Sequence, residues 1–147
     1  METSFTEIMN STQSREEKLR LVAEKIRLAK GYSWVGIYDV GEKEIKIGSC
    51  AGRSEPLIPS FPKDKGLNGR AVMQRKAVIA NDIEKDEDYL LTFTNTKSEI
   101  VVPVFDASGQ IVGTIDVESE IKNAFNKDDA DFLEDCAKKI SELWSKS

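Results

Sequence analysis

The sequence predicts an α+β fold: a central antiparallel sheet, with N- and C-terminal helices on one face and loops plus a short helix covering a pocket on the other. Three observations predict it. Apolar residues recur at helical spacing near both ends of the chain. Two pairs of β-branched runs are joined by short turn sequences, which read as hairpins and so as antiparallel pairing. The 147 residues contain no internal repeat and no low-complexity tract, so the chain reads as one domain over 1–147, with a helical segment 4–30, a core 31–119 and a C-terminal helix 127–145.

Residues 4–30 carry an apolar stripe of Leu19, Val22, Ala23, Ile26 and Ala29. Ser14-Arg15-Glu16-Glu17 fits a capping box, so a break is expected near Ser11–Ser14. Gly31 ends the helix. A strand over 32–40 then turns through Gly41-Glu42-Lys43 into a second strand, 44–51. A three-residue turn sets Val40 opposite Glu44. Val35, Ile37, Ile45 and Ile47 then share an apolar face, while Trp34, Tyr38, Lys46 and Cys50 share the other, with Gly36 and Gly48 leaving room. Two aromatic rings with polar handles suit a pocket wall or a partly exposed pair.

Residues 52–66 hold three prolines and two glycines and form a loop over the sheet. A short helix is expected over 67–75 and a short strand over 77–80. Residues 81–97 lack clear periodicity after Ile83, and a polar segment of that length in a compact domain suits a lid or binding loop. The final helix starts at the Asn126 cap. Asp128, Asp129 and Asp131 favour its N-terminal dipole, and Lys138, Lys139 and Lys146 lie toward its C-terminus. Leu133, Cys136, Ala137, Ile140, Leu143 and Trp144 form its apolar stripe, which makes Cys136 a core residue.

The hairpin over 98–119 carries the chemistry. Its apolar runs flank Asp106-Ala107-Ser108-Gly109. A four-residue loop puts Ile100, Val102, Val104, Ile111, Gly113, Ile115 and Val117 on one buried face. Glu99, Val101, Pro103, Phe105, Val112, Thr114, Asp116 and Glu118 take the other. Asp116 then sits opposite Glu99, with Glu118 beside them. Like charges at that spacing raise one another's pKa unless a cation intervenes. Two readings stay open: a subsite for an ammonium or other cation, or a polar sheet face with acids answered by nearby Lys or Arg.

Composition narrows the function. Charged residues make up 32% and the net charge is −5, which argues against nucleic acid or an anionic membrane as partner. No apolar run reaches transmembrane length and no signal peptide is visible, so the cytoplasm is the expected location. Histidine is absent, removing the commonest general base and most zinc and haem ligation. The two cysteines are too few for a disulfide framework. No metal and no cofactor is expected.

YSWVGIYDV (32–40), KGLNGRAV (65–72), AVIANDI (77–83), the hairpin 98–119 and FNKDDADFLEDCAKKI (125–140) together resemble a GAF domain. Within that family, SWVGIY and SEIVVPVF…GTIDVES look most like the free methionine-R-sulfoxide reductases, small proteins that reduce the free amino acid. The resemblance implies that Trp34 and Tyr38 line a ligand pocket and that Glu99, Asp116 and Glu118 contact the ligand's polar end. It also implies homodimers through the terminal helices. The chain departs from those reductases in its cysteines: theirs fall at Asn68, near Leu57 and, for the catalytic one, near Thr92. Asn, Leu and Thr cannot attack a sulfoxide sulfur or release the product. The expectation is a stand-alone GAF domain that binds a small ammonium-bearing molecule, such as an amino acid, without thiol catalysis. The alternatives are a divergent reductase with Cys50 as a relocated nucleophile, and a protein-interaction module. No match to the NKFDE signature of cyclic-nucleotide GAF domains is present.

Overall fold

The computed structural model describes residues 4–52, 54–87, 89 and 95–145. Helices α1 (Phe5–Asn10) and α2 (Arg15–Lys30) precede strands β1 (Trp34–Val40) and β2 (Glu44–Ala51). A short strand β3 (Ser60–Pro62), helix α3 (Gly66–Gln74) and strand β4 (Val78–Ala80) follow. A 3-10 turn, Ile83–Lys85, leads toward the long hairpin of β5 (Ser98–Phe105) and β6 (Ile111–Ser119). Helix α4 (Lys127–Ile140) closes the chain and tightens into a 3-10 turn over Ser141–Trp144.

The helix ends follow local chemistry. The Ser14 hydroxyl accepts from the Glu17 amide at 3.1 Å, and α1 stops before it at the expected break. Gly31 takes the left-handed conformation that closes α2. Asn126 accepts from the Asp128 and Asp129 amides, and the Asp129 carboxylate accepts in return from the Asn126 amide, completing a capping box.

The six strands order as β3-β2-β1-β6-β5-β4, and every pairing is antiparallel. One sheet face packs against α2 and α4. Leu19, Val22 and Ile26 meet Val35, Ile37, Ile100, Val102, Ile115 and Val117, with Leu133, Cys136 and Ile140 closing the layer. Cys136 is core, as expected. The other face is covered by α3 and the segment after β4, with Phe61 of edge strand β3 packed beside them. Trp34, Tyr38, Ile45 and Val72 form one cluster there, and Leu67, Ala71, Val78, Ala80 and Val101 another.

Two registers differ from expectation. Val40 pairs with Ile45, and a bulge shifts the β1–β2 ladder so that Tyr38 faces Ile47 while Ile37 faces Ser49. Gly48 is the unpaired residue of that bulge. A bulge flips the strand beyond it, so Ile45 and Ile47 join Tyr38 instead of the helix face, and Lys46 is exposed opposite Asp39. In the β5–β6 hairpin Phe105 pairs with Ile111 across a five-residue loop, with a second irregularity beside Phe105. The Asp106 carboxylate accepts from the Ser108 and Gln110 amides within that loop. Ile111 consequently packs with the Trp34–Tyr38 cluster. The faces of residues 99–104 and 113–118 are as expected. Strand β3 was not foreseen, because Pro59 and Pro62 bracket it, but an edge strand tolerates proline.

The C-terminus is fastened to the sheet by one cluster. Arg15 pairs with Asp39 at 2.8 Å and donates to the Leu143 carbonyl at 2.6 Å. The Trp144 indole N–H donates to Asp39 at 2.7 Å. The ring lies over Gly113, where a Cβ would come within 2.5 Å of it and 2.8 Å of the Tyr38 carbonyl. Gly113→Ala is therefore expected to lower stability by on the order of 1–3 kcal/mol, read as a lower denaturant midpoint at unchanged slope. An unaltered midpoint would show that Trp144 is not seated there.

Candidate functional site

Strand alternation puts Glu99 of β5 and Asp116 and Glu118 of β6 on the face away from the terminal helices. Glu99 pairs directly with Glu118, and Asp116 with Val101, so Glu118 rather than Asp116 is opposite Glu99. All three side chains are buried, at 3%, 0% and 2% exposure. One oxygen from each lies within 4.8 Å of those from the other two. These acids are not the solvated face of an exposed sheet.

Four side chains organise the cluster. The Asn68 amide, on α3, donates to Asp116 Oδ2 at 2.9 Å while its carbonyl accepts from the Thr114 hydroxyl at 2.5 Å. Glu118 Oε1 accepts from the Tyr89 hydroxyl at 3.1 Å and the Thr96 hydroxyl at 2.9 Å. Asp116 Oδ1 is buried, and no amide, ammonium or alcohol hydroxyl of a described residue donates to it. No described lysine or arginine forms an ion pair with Glu99 or Asp116. The guanidinium of Arg70, also on α3, instead forms a two-pronged pair with Asp86 at 2.7 and 3.2 Å, which ties the segment after β4 to α3.

Burial first, then the neighbouring Asp116 and Glu118 charges, push the Glu99 carboxyl well above the usual carboxylate range. Burial also raises Asp116, against hydrogen bonds from Glu99 and Asn68 that hold it down. The rise favours the neutral form of the Glu99 carboxyl beyond the ordinary carboxylate range. Tyr38 is 1% exposed, and burial followed by the three acids drives its phenol upward, so the hydroxyl stays neutral.

Trp34 and Tyr38 stand on the same face. Trp34 is opposite Glu118, and its ring lies across Gly36, where a Cβ would be 2.3 Å from the indole. Gly36 in turn sits between Asp116 and Cys50 on its neighbouring strands. The indole therefore separates the Cys50 thiol from the acids, two strand spacings or about 10 Å apart along the sheet. Burial and then Glu55 push the Cys50 thiol up to about 11. Lys46 is not beside it to offset that. A thiol that stays protonated is a poor nucleophile.

Asn68 was not foreseen as a site residue. Its Gly66-Leu67-Asn68-Gly69 context reads as the start of a helix, and only the packing of α3 on β5 and β6 reveals what its amide holds. Leu57 is exposed, and Thr92 lies outside the described residues. The expected lid, 81–97, is described only in part. What is described, Asp86, Tyr89 and Thr96, closes over the acids. A cleft of about 320 Å³ lined by Lys30, Tyr32, Phe125 and Asp129 reaches Glu118 from the strand ends. A larger groove of about 590 Å³ lies between the 106–110 loop and α4, away from the acids. No described helix is long and apolar enough to cross a membrane.

A family model described as GAF domain matches residues 12–143. The chain belongs to the GAF domain family. Among curated proteins it is 34% identical over 104 residues to GAF domain-containing protein A of Dictyostelium discoideum, covering 69% of this chain and 63% of that one. It is 31% identical over 117 residues to the free methionine-R-sulfoxide reductase of Saccharomyces cerevisiae, covering 78% and 64%. The chain thus spans just under two thirds of the length of these relatives. Among solved structures, the type II free methionine-R-sulfoxide reductase of Thermoplasma acidophilum superposes with a TM-score of 0.82 at 28% identity, over 88% of this chain and 91% of that one. The free methionine-R-sulfoxide reductase of Neisseria meningitidis, in complex with its substrate, gives 0.85 at 26% identity over 95% and 83%.

The raised Glu99 carboxyl has a consequence for stability. The native state holds a proton that the unfolded chain releases in the ordinary carboxylate range. Glu99 therefore contributes stability below that range, and the contribution is lost as pH rises toward its native pKa. Replacing it with the neutral isostere removes this loss. Glu99→Gln is expected to melt higher than wild type near neutral pH, by a margin that widens with pH and vanishes in acid. Parallel melting profiles would contradict a proton held in the cluster.

Proposed function

We propose that this GAF domain binds a small ammonium-bearing molecule, an amino acid or close derivative, and does so without thiol catalysis. The observation that carries the reading is the buried trio of Glu99, Asp116 and Glu118, in which no amide, ammonium or alcohol hydroxyl of a described residue donates to Asp116 Oδ1. An ammonium offers donors to several carboxylate oxygens at once and relieves their repulsion. Trp34 and Tyr38 supply the wall for the apolar part of the ligand. The likeness to reductases of a free amino acid derivative supports the same ligand class. Two charge-assisted hydrogen bonds at about 1.5–3 kcal/mol each, with modest apolar burial, correspond to millimolar to micromolar affinity. The proposal includes pairing of two copies through the terminal helices, which light scattering checks: a monomer at high concentration removes it.

The likeness to those reductases also favours a second reading, turnover through Cys50. Its raised pKa and its separation from the acids by the Trp34 ring weigh against it.

Isothermal titration against the common amino acids and L-methionine-R-sulfoxide is expected to show saturable binding of at least one. Uniform absence of binding would contradict the proposal. In a parallel assay with dithiothreitol, wild type is expected to leave L-methionine-R-sulfoxide unreduced. Turnover that disappears in Cys50→Ser would establish the second reading instead.

A further inference from the structure

We propose that Asn68 is a positioning residue for the ligand: with its carbonyl held by the Thr114 hydroxyl, its amide fixes Asp116 through Oδ2 and so presents Oδ1 to the ammonium. This rests on the ligand-binding reading above and adds which side chains prepare its acceptor.

The bonds run between two elements. Thr114 and Asp116 are two residues apart on β6, so both side chains point to the face on which α3 packs. Two residues of a strand rise about 6.5 Å, and one carboxamide with a hydrogen bond at each end spans that gap. Asn68 does so from the first turn of α3, at 2.5 Å to the Thr114 hydroxyl and 2.9 Å to Asp116 Oδ2. Thr114 and Asp116 are fully buried and Asn68 is 4% exposed, so bulk water does not compete for either bond.

The Thr114 contact sets the polarity of the chain. A carboxamide accepts at one end and donates at the other. With Thr114 donating to the carbonyl, an N–H faces Asp116. A bond from that N–H favours the ionised carboxylate, against the rise that burial imposes on Asp116. An ionised carboxylate only accepts and an ammonium only donates, so the two match. The last torsion of an aspartate side chain is soft, and the bond at Oδ2 fixes it. Oδ1, to which no amide, ammonium or alcohol hydroxyl of a described residue donates, is then held in one orientation beside Glu99 and Glu118. Ordering the acceptor before the ligand arrives removes that ordering cost from binding. Thr114 acts through Asn68, since the amide and not the hydroxyl touches Asp116.

The test uses the full chain with L-methionine-R-sulfoxide as probe; if only an amino acid binds wild type, that amino acid takes its place. Thr114→Val removes the hydroxyl with little change of shape and is expected to weaken binding about tenfold, whereas Thr114→Ser keeps the hydroxyl and is expected to bind within about twofold of wild type. Asn68→Leu is expected to weaken binding at least as much as Thr114→Val. Adding Thr114→Val to Asn68→Leu is expected to cost nothing more, because the relay is already broken. In ligand-free protein, nuclear magnetic resonance is expected to show one Asn68 side-chain amide proton strongly downfield and slow to exchange, as a donor to a buried carboxylate is, and to lose that shift in Thr114→Val. Should Asn68→Leu fail to fold, the Thr114 pair and the amide resonance decide alone. Additive losses in the double variant, a Thr114→Val chain that binds like wild type, or an Asn68 amide proton at its ordinary position each overturn the positioning role while leaving the ligand-binding reading intact. Wild type that binds neither the probe nor any amino acid overturns both.

Discussion

The mutual repulsion of three desolvated carboxylates is the constraint around which one face of this protein is arranged. Glu99, Asp116 and Glu118 lie buried near one end of the paired strands β5 and β6, where carboxylates are costly unless they are protonated, hydrogen-bonded or matched by a cation. Hydrogen bonds from described residues meet part of that cost. Asn68 and Thr114 form a chain to one oxygen of Asp116, and Tyr89 and Thr96 bond to one oxygen of Glu118. The opposite sheet face, buried under α2 and α4, is almost wholly apolar and supplies the main core.

Backbone economy around the acids is equally directed. Gly36 gives up a side chain so that the Trp34 ring can lie flat beside Asp116 and Glu118. Gly113 does the same for Trp144 on the other face, where Arg15, Asp39 and Trp144 fasten the start of α2 and the 3-10 turn after α4 to β1. The bulge at Gly48 turns Ile45 and Ile47 toward Tyr38, so the aromatic wall is backed by aliphatic side chains rather than by Lys46. The cysteine on this face sits behind that wall with its thiol protonated. The cysteine positions of the reductase-like pattern hold Asn68, which is committed to Asp116, and the exposed Leu57.

Much of this was legible in the sequence because alternation and helical spacing survive small errors of register. The pairing of Glu99 moved by two residues, from Asp116 to Glu118, and a shift of two keeps every side chain on its face. The acid cluster was therefore visible even though the hairpin loop is five residues long. A shift of one is not forgiven. The bulge at Gly48 sent Ile45 and Ile47 to the face opposite the expected one, and the irregularity beside Phe105 did the same to Ile111. Bulges arise from local backbone geometry that a hydrophobic pattern does not encode. Burial of the acids depends on the packing of α3 and the segment after β4 over them, which are long-range contacts, so exposed and buried readings could not be separated beforehand. The role of Asn68 was hidden for the same reason.

The central claim is that the buried acids recognise a positively charged nitrogen. Its most direct test compares binding of L-methionine-R-sulfoxide with binding of the N-acetylated compound, in which the ammonium becomes a neutral amide while the rest of the molecule is retained. The account predicts saturable binding of the first and no measurable binding of the second. Equal affinity for both would mean that the carboxylates do not recognise the ammonium.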